Sequence, residues 1–421
     1  MGRNRVIYQS EALYLSKNVN STERSEHIQL KRVQSANYNF SIERQDVNQF
    51  GQLARIDSLV LKSPVVSLDL TYYPTDGFNE KALGFYVQNT AKGDSVVGNF
   101  ASGQMGNSSG QNYYIVTSAE GTDLNTQTAT QFTVATGSLT GTGYHSPLEG
   151  KDIIAIGNGF LTNYTFNAAV GNLPTVSVTI EGLNMRSSPY SYQSGIITGI
   201  NTSVVPHSFS YGTGVSGHID AVASPAINPV SGVEIGFSGT LPYPAESTGA
   251  SIISALRPGD ISMSFSSYVG ATASPISSLD GADSINIQSA SISIPLSRTP
   301  IERLGSRFAF ARVVDFPIVA TLNVSAILNE VETKSLAAML DDNEKRTITL
   351  NIKKPSGGGE ALIFQFKGSQ LQSESFSSSI GANKTVDLVF QTQIGGPSDV
   401  NNGIYLSGSY TEDTVSGNWG Y

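Results

Sequence analysis

The sequence predicts an all-β protein built as two homologous β domains, each carrying one short helix. Three observations lead there. Apolar and polar residues alternate with period two in segments spread along the chain. Clusters of Gly, Asn, Ser and Pro separate those segments, as connections between antiparallel strands require. The segments also resemble one another, in the same order, twice.

In chain order, Val66, Leu68, Leu70 and Tyr72 alternate with Ser67, Asp69 and Thr71. Val176, Val178 and Ile180 alternate with Ser177, Thr179 and Glu181. Val386, Leu388 and Phe390 alternate with Asp387, Val389 and Gln391. Each pattern is a strand with one dry and one wet face. Two stretches carry helical spacing instead. Gly77 to Gln88 places Leu83, Tyr86 and Val87 on one stripe, and Asn329 to Glu344 does so with Leu336, Met339 and Leu340. Each is short enough to lie across a sheet.

The self-similarity sets the domain organisation. Segment 161–180 (LTNYTFNAAVGNLPTVSVTI) matches 371–390 (LQSESFSSSIGANKTVDLVF) at an offset of 210, with Phe166 on Phe376 and Val176 on Val386. Segment 33–44 (VQSANYNFSIER) matches 287–298 (IQSASISIPLSR) at an offset of 254, which carries on to Leu68 on Leu322. The two helical stretches align at 253. The expectation is one domain over 1–200, with an insert near 91–145, and a second over 201–421, with a long lead-in at 203–286.

Composition narrows the function. Asp+Glu 34 against Lys+Arg 25 gives a net charge of −9, and charged residues are 14% of the chain. A basic protein held on nucleic acid by phosphate neutralisation is excluded. So is a disordered polyelectrolyte, because 39% of residues are hydrophobic. The absence of cysteine excludes disulfide scaffolds, thiolate zinc sites and cysteine nucleophiles. Four histidines leave little for a metal site, and no apolar run approaches the ~18 residues of a membrane helix. The first residues, MGRNRVIYQS, lack a signal-peptide core, so a chain used in solution, or released by lysis, is expected.

The run YNFSIERQDVNQFGQLARIDSLVLKSPVVSLDLTYY at 38–73 resembles the tail tube (major tail) proteins of long-tailed bacteriophages. The resemblance extends over 33–88 and 151–200, and over 287–408 as the second copy. It implies two tail-tube β-sandwiches per chain, so that three chains form a pseudo-sixfold β-barrel ring. It also implies a structural virion protein without enzymatic activity or cofactor, whose partners are other copies of itself and further tail proteins. DNA passes transiently during ejection and no membrane is involved. Such a protein resides in the virion tail after assembly in the host cytoplasm. Two other readings stay open: a distal tail or baseplate ring protein, and a bacterial surface or receptor-binding β protein.

A DNA conduit needs a neutral or acidic wall, because cations would grip phosphate. The polar strand positions Ser67, Asp69, Thr71, Ser177, Thr179, Glu181, Thr321, Asn323, Ser325, Asp387 and Gln391 include no Lys or Arg, which makes them lumen-facing candidates. An ordinary solvent face is the alternative. The resemblance further implies contacts between subunits through the N-terminal strand Val6–Leu15 and the loop Gln45–Gln52, with Phe50 as an apolar plug and Leu304 in its place in the second copy. The alternative is that Phe50 and Leu304 close each sandwich. Arg44, Asp46, Arg298 and Glu302, with Arg55 and Arg303, are candidates for setting register between subunits, against ordinary solvation.

Chemical motifs carry less. Gly106–Gly110 fits G-x-S-x-G but sits in a loop without the strand and helix of a nucleophile elbow. Gly212–Gly217 fits G-x-G-x-x-G but opens no helix. Neither supports catalysis.

Overall fold

Strands that are apolar on one face need a dry layer behind them, and this chain supplies it by sending its two longest strands through two layers each. The computed structural model describes residues 11–17, 28–61, 65–89, 99–105, 110–118, 131–132, 151–182, 184–189, 241–242, 255–267, 286–301, 304, 311–327, 345–355, 359–377, 385–396 and 399–410. These residues form an all-β protein. Its strands are β1 (Glu11–Lys17), β2 (Ile28–Gln29), β3 (Val33–Ser41), β4 (Arg44–Val47), β5 (Asp57–Val60), β6 (Val65–Tyr72), β7 (Val87–Asn89), β8 (Gln111–Ser118), β9 (Gln131–Phe132), β10 (Lys151–Ala169) and β11 (Thr175–Gly182). There follow β12 (Asn184–Pro189), β13 (Leu241–Pro242), β14 (Ile261–Ser267), β15 (Asn286–Pro295), β16 (Arg298–Ile301), β17 (Ala311–Val314), β18 (Ile318–Ile327), β19 (Arg346–Lys353), β20 (Glu360–Ser377), β21 (Thr385–Ile394) and β22 (Gly403–Gly408). Two short helices, α1 (Phe78–Ala82) and α2 (Ser102–Met105), lie in the first half.

The central feature is an antiparallel sheet in the order β3-β6-β11-β10-β15-β18-β21-β20. Strand β10 ends in this sheet, while its first half pairs with β8 and β12. Strand β20 does the same, its first half pairing with β19 and β22. Behind the central sheet stand two further layers, β2-β1-β8-β10-β12 and β14-β19-β20-β22-β7. The apolar side chains of the central sheet face these layers in one buried cluster that runs through both halves. Phe166 of β10 meets Phe364 of β20 at 5.1 Å between centroids.

Adding 254 to β3 and β6, and 210 to the end of β10 and to β11, converts the pairings of the first four strands into those of the last four. Ser35 opposite Thr71 becomes Ser289 opposite Ser325. Phe166 opposite Val176 becomes Phe376 opposite Val386. The irregularities shift with them: the bulge between Val33 and Ser35 recurs between Ile287 and Ser289, and that between Leu161 and Asn163 recurs between Leu371 and Ser373. A bulge adds one residue and swaps the face of everything beyond it. The matching positions therefore keep the same side of the sheet dry in both units.

Three expectations change. The helix foreseen from Gly77 to Gln88 stops at Ala82; Gly84 turns the chain at φ 92, and Val87–Asn89 becomes a strand paired in parallel with β22. That pairing outweighs a helical stripe too short to be stable on its own. The N-terminal strand does not reach outward over its described part: β1 pairs with β8 along its length and buries Leu13, Tyr14 and Leu15. Strand β8, from the supposed insert, pairs with both β1 and β10 and buries Tyr113 and Ile115, so this part of the insert is core. Residues 6–10, the stretch Asn329 to Glu344 and the boundary near residue 200 lie outside the described residues.

Helix α1 is fixed on the dry side of the sheet. Asn79 exchanges two hydrogen bonds with the Lys31 backbone, at 2.8 and 2.7 Å. Glu80 is buried and accepts hydrogen bonds from the hydroxyls of Tyr72 (2.8 Å) and Tyr164 (3.3 Å). Burial pushes its carboxyl up to about 7, against the hydrogen bonds that favour the charged form.

Candidate functional site

The face of the central sheet turned away from the core carries rungs of mostly polar side chains. One rung crosses all eight strands: Ser35, Thr71, Ser177, Thr165, Ser293, Thr321, Gln391 and Gln370 stand opposite one another in sequence. A second begins Asn37, Asp69, Thr179, Asn163. A third runs Asn167, Ser291, Asn323, Val389, Ser373, and a fourth Ser289, Ser325, Asp387, Ser375. Direct partners in an antiparallel pair share a face, so the structure brings all eleven lumen-facing candidates onto one surface. The strands β3, β10, β15 and β20 complete it, although their polar residues were not singled out from sequence. Their alternation was there to be read in YNFS and SASIS.

Hydrogen bonds run along this surface. Thr179 donates to Asp69 at 2.8 Å, Ser291 donates to Asn167 at 2.8 Å, and the hydroxyls of Ser35 and Thr71 lie 2.6 Å apart. Among the described residues of these rungs the charged groups are Asp69 and Asp387; Glu181, opposite Ser67, adds a third carboxylate. None is Lys or Arg. Glu181 is the exception in environment, because Arg312 of β17 donates to it at 3.1 Å. Glu181 also stands opposite Phe160, which is buried beneath Arg298, so hairpin β16–β17 covers this end of the polar face and shields the guanidinium from water.

The candidates for subunit contact fare unevenly. Phe50 and Leu304 are 107% and 104% exposed, so neither closes a sandwich. Both belong to projecting hairpins. Strands β4 and β5 form the first, with Arg44 and Asp46 exposed and Asp46 paired with Arg55 at 3.0 Å. Strands β16 and β17 form the second. Arg298 is a correction. It is buried inside its own chain at 7% exposure, donating to the carbonyls of Gln104 (2.8 Å) and Arg312 (3.2 Å) and lying 5.0 Å from the Phe160 ring. Burial and the neighbouring Arg312 hold its guanidinium down to about 10. The buried carbonyls left at the end of α2 attract it more strongly than an exposed partner would. Glu302, Arg303 and the motifs at 106–109 and 212–217 lie outside the described residues.

No cluster of three His, Asp or Glu suited to a metal occurs among the described residues, and none of their helices is long and apolar enough to cross a membrane. No family model matches the chain. No curated protein matches it either. Solved structures that it resembles include a chain of "Tail of empty GTA particle computed with helical refinement, C6 symmetry", at 13% identity and a TM-score of 0.23, covering 34% of this chain and 96% of that one. A chain of "Virion of native gene transfer agent (GTA) particle" is similar at 13% identity and a TM-score of 0.22, covering 34% of this chain and 98% of that one.

Proposed function

We propose that this chain is a structural protein of a phage tail, that its halves 1–200 and 201–421 are homologous tail-tube domains, and that three copies form pseudo-sixfold rings stacked into a DNA conduit. The observation that carries this reading is the rung of eight Ser, Thr and Gln side chains spanning the whole central sheet. A wall that lets a polyanion slide needs hydrogen-bonding groups that water satisfies equally well, and no fixed cations. The four-strand units, related by constant offsets, support the duplication. Three sheets of this width closing edge to edge make a barrel of about 24 strands, whose backbone diameter at a tilt near 40° is roughly 45–50 Å. Lumen side chains narrow that bore but leave room for a duplex about 20 Å wide. Closure also covers the exposed sheet edges.

Negative-stain electron microscopy of the purified protein tests this. Trimeric rings that stack into uniform hollow tubes are expected. A monomer that stays dispersed under all solvent and concentration conditions overturns the reading. A distal-ring protein would instead give single rings that never lengthen.

A further inference from the structure

The central sheet contains its own template for the contact between copies. At its middle, β10 of the first unit pairs with β15 of the second, with Phe166 opposite Ile292 and Asn167 opposite Ser291. The two outer strands of the sheet are their counterparts. Position for position, β20 corresponds to β10 and β3 to β15, yet among the described strands β3 pairs only with β6, and the end of β20 only with β21. We infer that a second copy of this chain joins its β3 edge to the β20 edge, in the register that sets Tyr38 opposite Phe376 and Asn37 opposite Ser377.

Side-chain exposure supports this register. At the internal junction Ile292, Ile294 and Leu296 are each 0% exposed. Their counterparts on the free edge, Tyr38, Phe40 and Ile42, are 42%, 53% and 43% exposed, although they point to the dry side of the sheet. Phe166 is 0% exposed and its counterpart Phe376 is 44%. The same positions are covered where a neighbouring unit is present and open where it is not. The polar side agrees: Ser291 bonds Asn167 across the internal junction, and the inferred junction opposes the same two residue types with their strands exchanged. The hairpins give an independent indication. Hairpin β16–β17, which follows β15, folds back over the first unit through Arg298 and Arg312. Hairpin β4–β5, which follows β3, has the same register but every residue of its first strand is exposed. A second copy, joined by its β20 edge to β3, would lie beneath it.

The inference rests on the ring proposed above and specifies its seam. Because the chain has no cysteine, it can be tested by disulfide mapping. Asn37→Cys and Ser377→Cys are introduced together, and a second protein carries Asn37→Cys with Ser375→Cys. Within one chain these sites lie across eight strands, about 34 Å apart, so any disulfide joins two copies. Mild oxidation of the first protein is expected to give covalent trimers on non-reducing gels, with the 37–377 peptide identified by mass spectrometry, and the second protein is expected to cross-link at least tenfold less. Trimers or tubes in the microscope with the 37–377 pair still reduced, or linkage through 375 instead, overturn the register but leave the ring standing. Monomers throughout, without cross-links, overturn both. The single variant Tyr38→Asp, whose site is open to water in the monomer, is expected to keep the wild-type unfolding midpoint while abolishing trimers; trimers that persist also overturn the seam.

Discussion

Glu80 shows how far a single side chain departs from its ordinary chemistry in this fold. Its carboxyl sits between the hydroxyls of Tyr72 and Tyr164, whose ring packs on the stacked Phe85 and Phe100, with Asp76 as a nearby like charge. The folded state holds its proton up to about pH 7, whereas the unfolded chain releases it near 4.5. Stability from this group is therefore full below about pH 4.5 and is lost as pH rises through 7, a change of about 3 kcal/mol. Glu80→Gln keeps an acceptor for the tyrosine hydroxyls and has no proton to lose. Chemical denaturation at pH 5 and pH 8 should show the wild type weakening more than the variant; equal pH slopes would refute the assignment. Arg298 is the second case. Arg298→Ala strands the buried carbonyls of Gln104 and Arg312 and should cost about 2–3 kcal/mol, read as a lowered urea midpoint. By contrast, breaking the exposed Asp46–Arg55 pair with Asp46→Asn should cost under about 1 kcal/mol.

Among the elements, β10 carries the most structural demand because it passes from the rear layer to the central sheet. Its pairing with β8 shifts register between Ile156 and Gly159, and a Cβ at Gly159 would lie 2.7 Å from both Ile180 and the Tyr113 ring. Gly159→Ala should therefore destabilise the fold by about 1–3 kcal/mol through overpacking. Gly396→Ala, where nothing lies within 4 Å, should stay within about 0.5 kcal/mol. Urea unfolding of the two variants side by side checks this. The strands of the central sheet were legible because each needs only an alternation, and a pleat makes alternation local. Strand β7 was not legible. Its first two residues, Val87 and Gln88, read as the end of a helical stripe, and only β22, far along the chain, supplies the hydrogen bonds that make Val87–Asn89 a strand.

For the whole molecule, the consequential quantity is the sign of charge across the polar face. Asp69 and Asp387 sit on it among neutral hydroxyls and amides. If the face lines a conduit, Asp69→Lys with Asp387→Lys leaves the fold intact, because both sites are exposed, but adds cations in every subunit around the bore. Assembled wild-type protein should fail to retain duplex DNA at 50 mM salt. The variant should retain it, with an affinity that falls steeply by 200 mM, as counterion release requires. A variant that assembles and still ignores DNA would separate this face from the bore.

Repeated alternation and two constant offsets lie in the residues themselves, so the strands of the central sheet, their dry and wet faces, and the likeness of its two four-strand halves could be read before any coordinates. Each depends on neighbours within a few positions or on the likeness of one segment to another. The meeting of β10 with β15, the withdrawal of Arg298 into the core, the strand at Val87–Asn89 and the proton on Glu80 depend on groups more than sixty residues apart along the chain. Pairing and burial energies of that kind exist only once the chain has closed on itself, because an edge, a carbonyl or an apolar wall acts on whatever the fold brings against it.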